Sequence, residues 1–300
     1  MPYARHLPFP GVVNERWYRI GGVTLCVRSG GPLPEPGHAP MAHFAVAPGV
    51  ADMTIDIARA RPVVPDDALL VFDSGAVWKL YERGTESFLS CSSPVVGDPY
   101  KVARIDAAFS HVHIDVDPSL PEDADALEFP LDEVLLMNLL GRGRGVELHA
   151  CGLIDGARGY LFVGQSGAGK TTTARQWLAE TDVTIVSDDR VVVRAEGEGF
   201  RLYGTPWHGE AALSSAASAP LEAVFLLAQR KENILRPLAP AEAAARLFAC
   251  SFPLFHRPDA LAFTVDTLAE LAARVPVMEL GFVPTPDVVG FVRESLLCPS

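Results

Sequence analysis

The sequence predicts an α+β or α/β protein in which a β-rich domain, residues 1–128, precedes a mixed-sheet domain, residues 129–300. Most of the first part consists of short apolar or β-branched runs separated by turn residues, a pattern typical of strands. The second part contains a strand, a glycine-rich loop and a helix in direct succession. A hairpin pattern then breaks the alternation of strands and helices, which favours a mixed sheet over a parallel one.

The β-rich part carries separate strand signals along its length. They lie at residues 17–27 (broken at Gly21-Gly22), 53–58, 69–72, 77–81, 88–91 and 112–116. Residues 31–40 carry four prolines, which predicts an irregular loop, and the acidic residues 118–125 predict a connector. His111 and His113 share one face of the last strand. A metal site is one interpretation of this pair, and two exposed strand histidines is the one that we favour.

The second part begins with a predicted helix over residues 130–141, which proline and acidic residues open and Gly141 closes. The remaining predictions are strands 145–153 and 160–163, helix 172–180, strand 183–186, a hairpin of 191–193 and 200–203, strand 221–227, helices 241–250 and 266–274, strand 277–283, and a last helix capped by Thr285. This order puts the glycine-rich loop between a buried strand and a helix.

The glycine-rich loop, residues 164–171, has the sequence GQSGAGKT and fits G-x-x-x-x-G-K-[ST], the phosphate-binding loop of nucleotide enzymes. Glycines let backbone N–H groups turn toward a phosphate, and the helix that follows adds its partial positive charge. We therefore expect ATP and Mg²⁺ as cofactors, with Lys170 reaching the β- and γ-phosphates and the Thr171 hydroxyl on the metal. The expected nucleotide-binding residues are Gly164, Gln165, Ser166, Gly167, Ala168, Gly169, Lys170, Thr171 and Thr172.

Two aspartates follow the next apolar strand, as they do at many magnesium nucleotide sites. Asp188 and Asp189 are adjacent, so on a strand they point in opposite directions and should have different roles. One role is to hold Mg²⁺, and the other is to accept the proton of an attacking hydroxyl. His149 precedes the loop, where a histidine is more often a core residue. His208 is a candidate phosphate or substrate contact, and Glu210 a candidate metal or water ligand, although their segment alone is only a loop.

The order of these segments resembles a known family. Residues 148–152 (LHACG), the loop 164–171 and residues 187–189 (SDD) look like the catalytic domain of HPr kinase/phosphorylase, which is similar to the nucleotide-binding half of phosphoenolpyruvate carboxykinase. The resemblance covers about residues 130–210. It departs at residues 204–210, which replace that enzyme's glycine-arginine signature, and in the N-terminal part. The chain therefore looks more like stand-alone HPr-kinase-related proteins, some of which phosphorylate a serine on a small peptide.

The resemblance implies a role for each matching residue. Asp188 becomes the base toward a serine hydroxyl, and His149 becomes its partner. Asp189 becomes a metal-site residue, Thr171 matches the loop hydroxyl that binds Mg²⁺, and Lys170 matches the phosphate lysine. The expected catalytic residues are thus Asp188, His149 and Lys170, and the expected metal residues are Thr171, Asp189 and Glu210.

The composition limits which partners and which cellular location we expect for this protein. The formal net charge is −12 and the pI about 5.1, which argues against a nucleic-acid partner. Five cysteines without C-x-x-C spacing predict buried, reduced thiols, and neither a signal core nor a membrane span is recognised, so we expect a cytoplasmic protein. The predicted function is an ATP- and Mg²⁺-dependent kinase that transfers the γ-phosphoryl group to a hydroxyl, for which we favour a Ser of a protein or peptide over a small molecule, with oligomeric state left open. The alternatives are a nucleotide-binding regulatory or scaffold module and a carboxykinase-like metabolite phosphotransferase.

Overall fold

A computed structural model describes residues 13–33, 39–92, 98–180 and 182–297. The chain divides into two compact units: unit 1 contains Met1–Arg19 and Val23–Leu139, and unit 2 contains Ile20–Gly22 and Leu140–Ser300. Each unit is built on one mixed sheet with helices, so the protein is of the α+β class.

Unit 1 is mainly strands. Its elements are β1 (Asn14–Ile20), β2 (Val23–Ser29), a 3₁₀ helix (Ala39–Phe44), β3 (Met53–Arg59), β4 (Leu69–Asp73), β5 (Trp78–Arg83), β6 (Glu86–Ser92), β7 (Pro99–Ile105), β8 (His111–Val116) and α1 (Leu131–Leu140). The sheet order is β1-β2-β3-β8-β7-β6-β5-β4, in which β3 runs parallel to both β2 and β8. Successive side chains of β8 point to opposite faces of the sheet: Val112 and Ile114 are buried, whereas His111, the first residue of the strand, is exposed.

Among the described residues of unit 1, the sequence predicts every strand except β7, and it misses β7 because a charged residue lies within that strand. Lys101 lies in the middle of β7 and is buried. Its ammonium group pairs with the Glu128 carboxylate at 2.8 Å and also donates to the Asp125 carbonyl. A buried lysine is tolerated when it is paired, but in the sequence it interrupts the apolar run that marks a strand. The proline-rich residues 31–40 lie partly outside the described residues.

Unit 2 contains both strands and helices, which do not alternate regularly along the chain. Its elements are β9 (Val146–Asp155), β10 (Arg158–Val163), α2 (Lys170–Leu178), β11 (Val183–Ser187), β12 (Arg190–Glu196), β13 (Gly199–Tyr203), β14 (Ser218–Gln229), β15 (Ile234–Pro237), α3 (Pro240–Phe248), α4 (Pro258–Arg274), β16 (Val277–Phe282) and α5 (Asp287–Leu297). The short edge strand β15 was not predicted, and α4 begins at Pro258, well before the predicted residue 266. The other predicted elements of this unit are present.

Strand pairing in unit 2 brings the candidate site residues together. Strands β9, β12, β13, β14 and β10 pair in a closed circuit, β11 pairs with β9, and β16 extends the sheet from β14. The first residues of β9 pair with β12, where His149 lies opposite Arg190. From Ala150 onward β9 pairs with β10, and its last residues also pair with β11. His149 is therefore at the point where β9 changes partners, beside the turn between β11 and β12.

Both faces of the unit 2 sheet are buried, because consecutive residues of β10 belong to different apolar clusters. Leu161 packs in the cluster that includes α3 and α4 residues. Phe162 packs in the other cluster, with its ring 5.0 Å from that of Phe225 and 5.8 Å from that of Trp177 in α2. Burying a large aromatic side chain stabilises a fold by about 2–3 kcal/mol. Strand β10 and helix α2 are therefore held firmly on either side of the loop that connects them.

The described cysteines fit the prediction of buried thiols. Cys26, Cys91, Cys151 and Cys250 are free and buried, and Cys298 lies outside the described residues. Burial raises the pKa of the Cys151 and Cys250 thiols, so both stay protonated at neutral pH. Among the described residues, no helix is both long and apolar enough to cross a membrane.

Candidate functional site

Residues 164–169, called here the glycine loop, connect β10 to α2 with a left-handed backbone at two positions. Gly167 has φ 80° and Gly169 has φ 111°. Gly169 is also the N-cap of α2, and a Cβ atom on it would lie 2.5 Å from Cζ of Phe282. Both the backbone conformation and the available space therefore require glycine at this position. A loop of this shape at a helix N-terminus can surround an anion with backbone N–H groups.

Lys170, the first residue of α2, is buried, and its side chain turns back into the glycine loop. Nζ donates to the carbonyl oxygens of Gly164 at 2.9 Å and Gln165 at 3.3 Å. Burial lowers the pKa of Lys170, although the negative charge of Asp189 acts in the opposite direction. The loop is also held from outside, because Nε2 of Gln229 donates to the Gly167 carbonyl at 3.0 Å. The ammonium group is thus placed where an anion bound by the loop would meet it.

Asp188 belongs to residues 187–190, called here the aspartate turn, and its carboxylate is buried. It accepts hydrogen bonds from the backbone N–H groups of Gly209 and Ala211, each at 2.9 Å, and of Leu213 at 3.3 Å. These contacts engage both carboxylate oxygens and hold the loop of residues 204–213 in place. A carboxylate whose two oxygens are both committed to backbone N–H donors has little freedom to meet a substrate.

Asp189 has a different environment from its neighbour. Its Oδ1 lies 2.8 Å from Nε2 of His149, and its Oδ2 accepts a hydrogen bond from the Arg190 guanidinium. Burial raises the pKa of this carboxyl group, but the bond to His149 and the charges of Arg190 and Lys170 outweigh it and hold the pKa below its usual range. About a quarter of the side chain is exposed, at 24%. Asp189 is therefore an ionised carboxylate with a histidine partner and access to solvent.

Arg190 and Phe252 complete this cluster, and sequence reasoning did not identify either. The Arg190 guanidinium lies 4.2 Å from the centroid of the Phe252 ring, a cation–π contact. The same ring is 6.2 Å from that of His149. The segment that carries Phe252 follows α3 and pairs with β9, as the Phe252 N–H donates to the Glu147 carbonyl at 3.2 Å. No short-range pattern joins residues so far apart in the chain, so only the fold could identify them.

The structure brings together some of the other predicted residues. Thr171 and Thr172 lie in the first turn of α2, partly exposed, and Gln165 and Ser166 are exposed at the outer bend of the glycine loop. His149 pairs with Asp189, whereas the resemblance made it the partner of Asp188. His208 and Glu210 are exposed in the loop that Asp188 holds, and Nδ1 of His208 lies 3.0 Å from the Gly209 carbonyl oxygen.

The acidic residues do not form a ready-made metal cage. Within residues 13–33, 39–92, 98–180 and 182–297, no group of three or more His, Cys, Asp or Glu side chains is arranged to hold a metal ion. Mg²⁺ bound with a nucleotide needs only one or two protein ligands, because phosphate oxygens and water supply the rest. Oxygen donors such as the Thr171 hydroxyl suit that ion.

The two strand histidines of unit 1 are engaged locally. Nε2 of His113 is 3.2 Å from Oδ1 of Asp115, and Nδ1 of His111 is 3.7 Å from Oδ2 of Asp106. Neither belongs to a metal-binding group among the described residues. Their surroundings are those of side chains on the polar face of a strand.

Comparison with known proteins leaves the functional argument to the site itself. A scan against protein-family models finds no matching family, and a search of curated proteins finds no matching sequence. The geometry of the glycine loop and the aspartate turn is therefore the basis for any assignment.

Proposed function

We propose that the chain is a kinase that transfers the γ-phosphoryl group of ATP, with Mg²⁺, to a hydroxyl group, with a serine of a protein or peptide as the leading candidate. One observation carries this proposal. The buried Lys170 donates to two carbonyl groups of the glycine loop at a helix N-terminus, and while burial lowers the pKa of that lysine, the Asp189 carboxylate, which lies 2.8 Å from Nε2 of His149, acts to raise it. Phosphoryl transfer needs this pair of features, a phosphate cradle and a carboxylate for the incoming hydroxyl.

The glycine loop and Lys170 supply phosphate binding in this proposal. Phosphate oxygens are stronger hydrogen-bond acceptors for an ammonium group than the carbonyls of Gly164 and Gln165, which Lys170 contacts now. The Thr171 hydroxyl, in the next position on α2, is the candidate Mg²⁺ ligand, with the exposed Glu210 as a further candidate. When bound, Mg²⁺ would neutralise phosphate charge.

Asp189 is the better candidate for the base, and this departs from the role that the family resemblance gives to Asp188. Asp189 is partly exposed and is oriented by His149, whereas both oxygens of Asp188 accept backbone N–H bonds. In the proposed reaction the Asp189 carboxylate takes the proton from the substrate hydroxyl while the hydroxyl oxygen forms a bond to the γ-phosphorus. The bond from that phosphorus to the bridging oxygen breaks, and ADP leaves. Arg190, held by Phe252, and His149 keep the carboxylate ionised and in position.

A transfer assay tests the proposal. The full chain is incubated with γ-labelled ATP, Mg²⁺ and size-fractionated lysate of the source organism, in parallel with Lys170→Ala and Asp189→Asn. An exposed aspartate on α4 provides the matched control, Asp266→Asn. We expect a labelled species with the wild type and the control, and a loss of about 10²–10⁴-fold in rate for each site variant. Undiminished transfer by Lys170→Ala would exclude the proposed phosphate role.

The same assay separates the remaining interpretations. The size of the labelled species distinguishes a protein or peptide from a small metabolite, and the latter would favour carboxykinase-like chemistry. ATP binding without any labelled product would favour a nucleotide-binding regulatory module. A titration of Mg²⁺ separates the two possible roles of Asp189. A rate that stays low at saturating Mg²⁺ in Asp189→Asn supports the base, whereas recovery at high Mg²⁺ would make Asp189 a metal ligand.

A further inference from the structure

Unit 1 has a groove of its own on one face of strands β5 to β8. Its volume is about 530 Å³, within the range of roughly 300–1,000 Å³ that is usual for ligand sites. Val63 and Pro65, from the segment between β3 and β4, form one of its walls. Val63 is exposed at this wall.

The floor of the groove follows one cross-strand row of strands β6 to β8. Phe88 of β6 is opposite Arg104 of β7, which is in turn opposite His113 of β8. Residues directly opposite each other on neighbouring strands point to the same face. Val102 is two positions before Arg104 and therefore shares that face. Phe88 and Val102 are almost completely buried beneath the charged side chains, so the exposed apolar surface of the groove is that of Val63 at its wall.

The charges around this floor are paired, with one exception. Arg83 pairs with Glu86 at 3.1 Å and covers the Phe88 ring at 5.4 Å, and His113 is 3.2 Å from Asp115. Arg104 is exposed, and in the described part of the chain no hydrogen bond or ion pair engages its guanidinium. The middle of the groove therefore carries one positive charge without a partner.

We propose that this groove binds an extended peptide segment in which a carboxylate side chain lies between apolar side chains. The carboxylate would pair with Arg104, whose guanidinium matches a carboxylate with two parallel hydrogen bonds. The apolar neighbours would contact the exposed Val63 and the partly exposed Pro65 at the wall of the groove. The groove crosses four strands, or about 14 Å at a spacing of ~4.8 Å, which is the length of about four extended residues. A small acid would occupy only the part beside Arg104.

Direct binding tests this proposal without nucleotide, so the result does not depend on the proposed kinase activity. The probes are fluorescently labelled Gly-Leu-Glu-Leu-Gly and Gly-Leu-Gln-Leu-Gly, which differ only in the carboxylate, titrated with the full chain and followed by anisotropy. We expect the glutamate peptide to bind about tenfold more tightly than the glutamine peptide, and the preference to weaken at high salt. Arg104→Glu and Arg104→Gln should remove the preference. The control is Lys231→Glu, at an exposed position of unit 2, which changes the net charge by the same amount as Arg104→Glu and should retain the preference.

Three outcomes would overturn the proposal. The wild type could bind both peptides equally, or Arg104→Glu could keep the preference for glutamate. Finally, unlabelled N-acetylglutamate amide could displace the peptide at the same concentration as the unlabelled peptide does, which would make a small acid the occupant. Because Arg104 is exposed, both of its variants should fold, and circular dichroism verifies this.

Discussion

The glycine loop and the aspartate turn are built in opposite ways. In the glycine loop, glycines at positive φ set the backbone, and the side chains of Lys170 and Gln229 donate to its carbonyl groups. In the aspartate turn, side-chain oxygens accept from the backbone: Ser187 Oγ receives the N–H groups of Asp189 and Arg190, and Asp188 receives three more. The first region can exchange its bonds for those of a ligand, whereas the second is fixed before any ligand arrives.

We expect the largest effect from a change at Gly204, in the loop of residues 204–213 that Asp188 of the aspartate turn holds in place. A Cβ atom at this position would lie 1.8 Å from the Ser215 carbonyl oxygen and 2.6 Å from that of Val186. Because both are backbone atoms, the loop that Asp188 holds must move. We expect Gly204→Ala to lower the free energy of unfolding by about 4 kcal/mol or more, measured by urea denaturation. Gly199→Ala, where a Cβ atom meets open space, is the control and should change stability by less than about 0.5 kcal/mol. Equal stability of the two variants would contradict the fixed character of this region.

The two aspartates sharpen the comparison, since one substitution should act on stability and the other on chemistry. Asp188→Asn puts amide hydrogens against backbone N–H donors in a buried site, and we expect a loss of about 2–4 kcal/mol in unfolding free energy. Asp189→Asn should cost less than about 1 kcal/mol, because its ion pairs are partly solvated. Thermal unfolding and the transfer assay on both variants check this. A destabilised Asp189→Asn beside a stable Asp188→Asn would reverse the assignment.

Much of the glycine loop could be predicted from the sequence, because its chemistry is local. Eight consecutive residues, from Gly164 to Thr171, specify the turn, the helix start and the lysine. The aspartate turn was recognised only as a pair of acids, because the difference between Asp188 and Asp189 depends on Gly209 and His149, which come from other elements. Long-range contacts of this kind leave no spacing pattern in the sequence.

Another test concerns the glycine loop, where substitutions at two glycines distinguish the cost of backbone strain from the cost of steric contact. A Cβ atom at Gly167 meets open space, so Gly167→Ala should cost only the left-handed conformation, about 1 kcal/mol. Gly169→Ala adds contact with the Phe282 ring at 2.5 Å, and we expect a total loss of about 2–3 kcal/mol. Both losses are smaller than that expected for Gly204→Ala, since an aromatic ring can shift more easily than backbone. Urea denaturation of the pair measures the difference, and a larger loss at Gly167 than at Gly169 would contradict the steric argument.

The smallest expected effect is a change of stability with pH that belongs to Asp189. Burial alone would raise the pKa of this carboxyl group, but His149, Arg190 and Lys170 together lower it in the folded chain. A carboxyl group with a depressed folded pKa stabilises the fold above its unfolded pKa, about 3.9, and loses that contribution as pH falls through the folded value. The stability gap between wild type and Asp189→Asn should therefore be constant near neutral pH and shrink below about pH 4. Urea denaturation across that range measures the gap. A gap that already closes between pH 5 and 7 would mean that the cations around Asp189 do not hold it ionised, and the base role would then pass to another group.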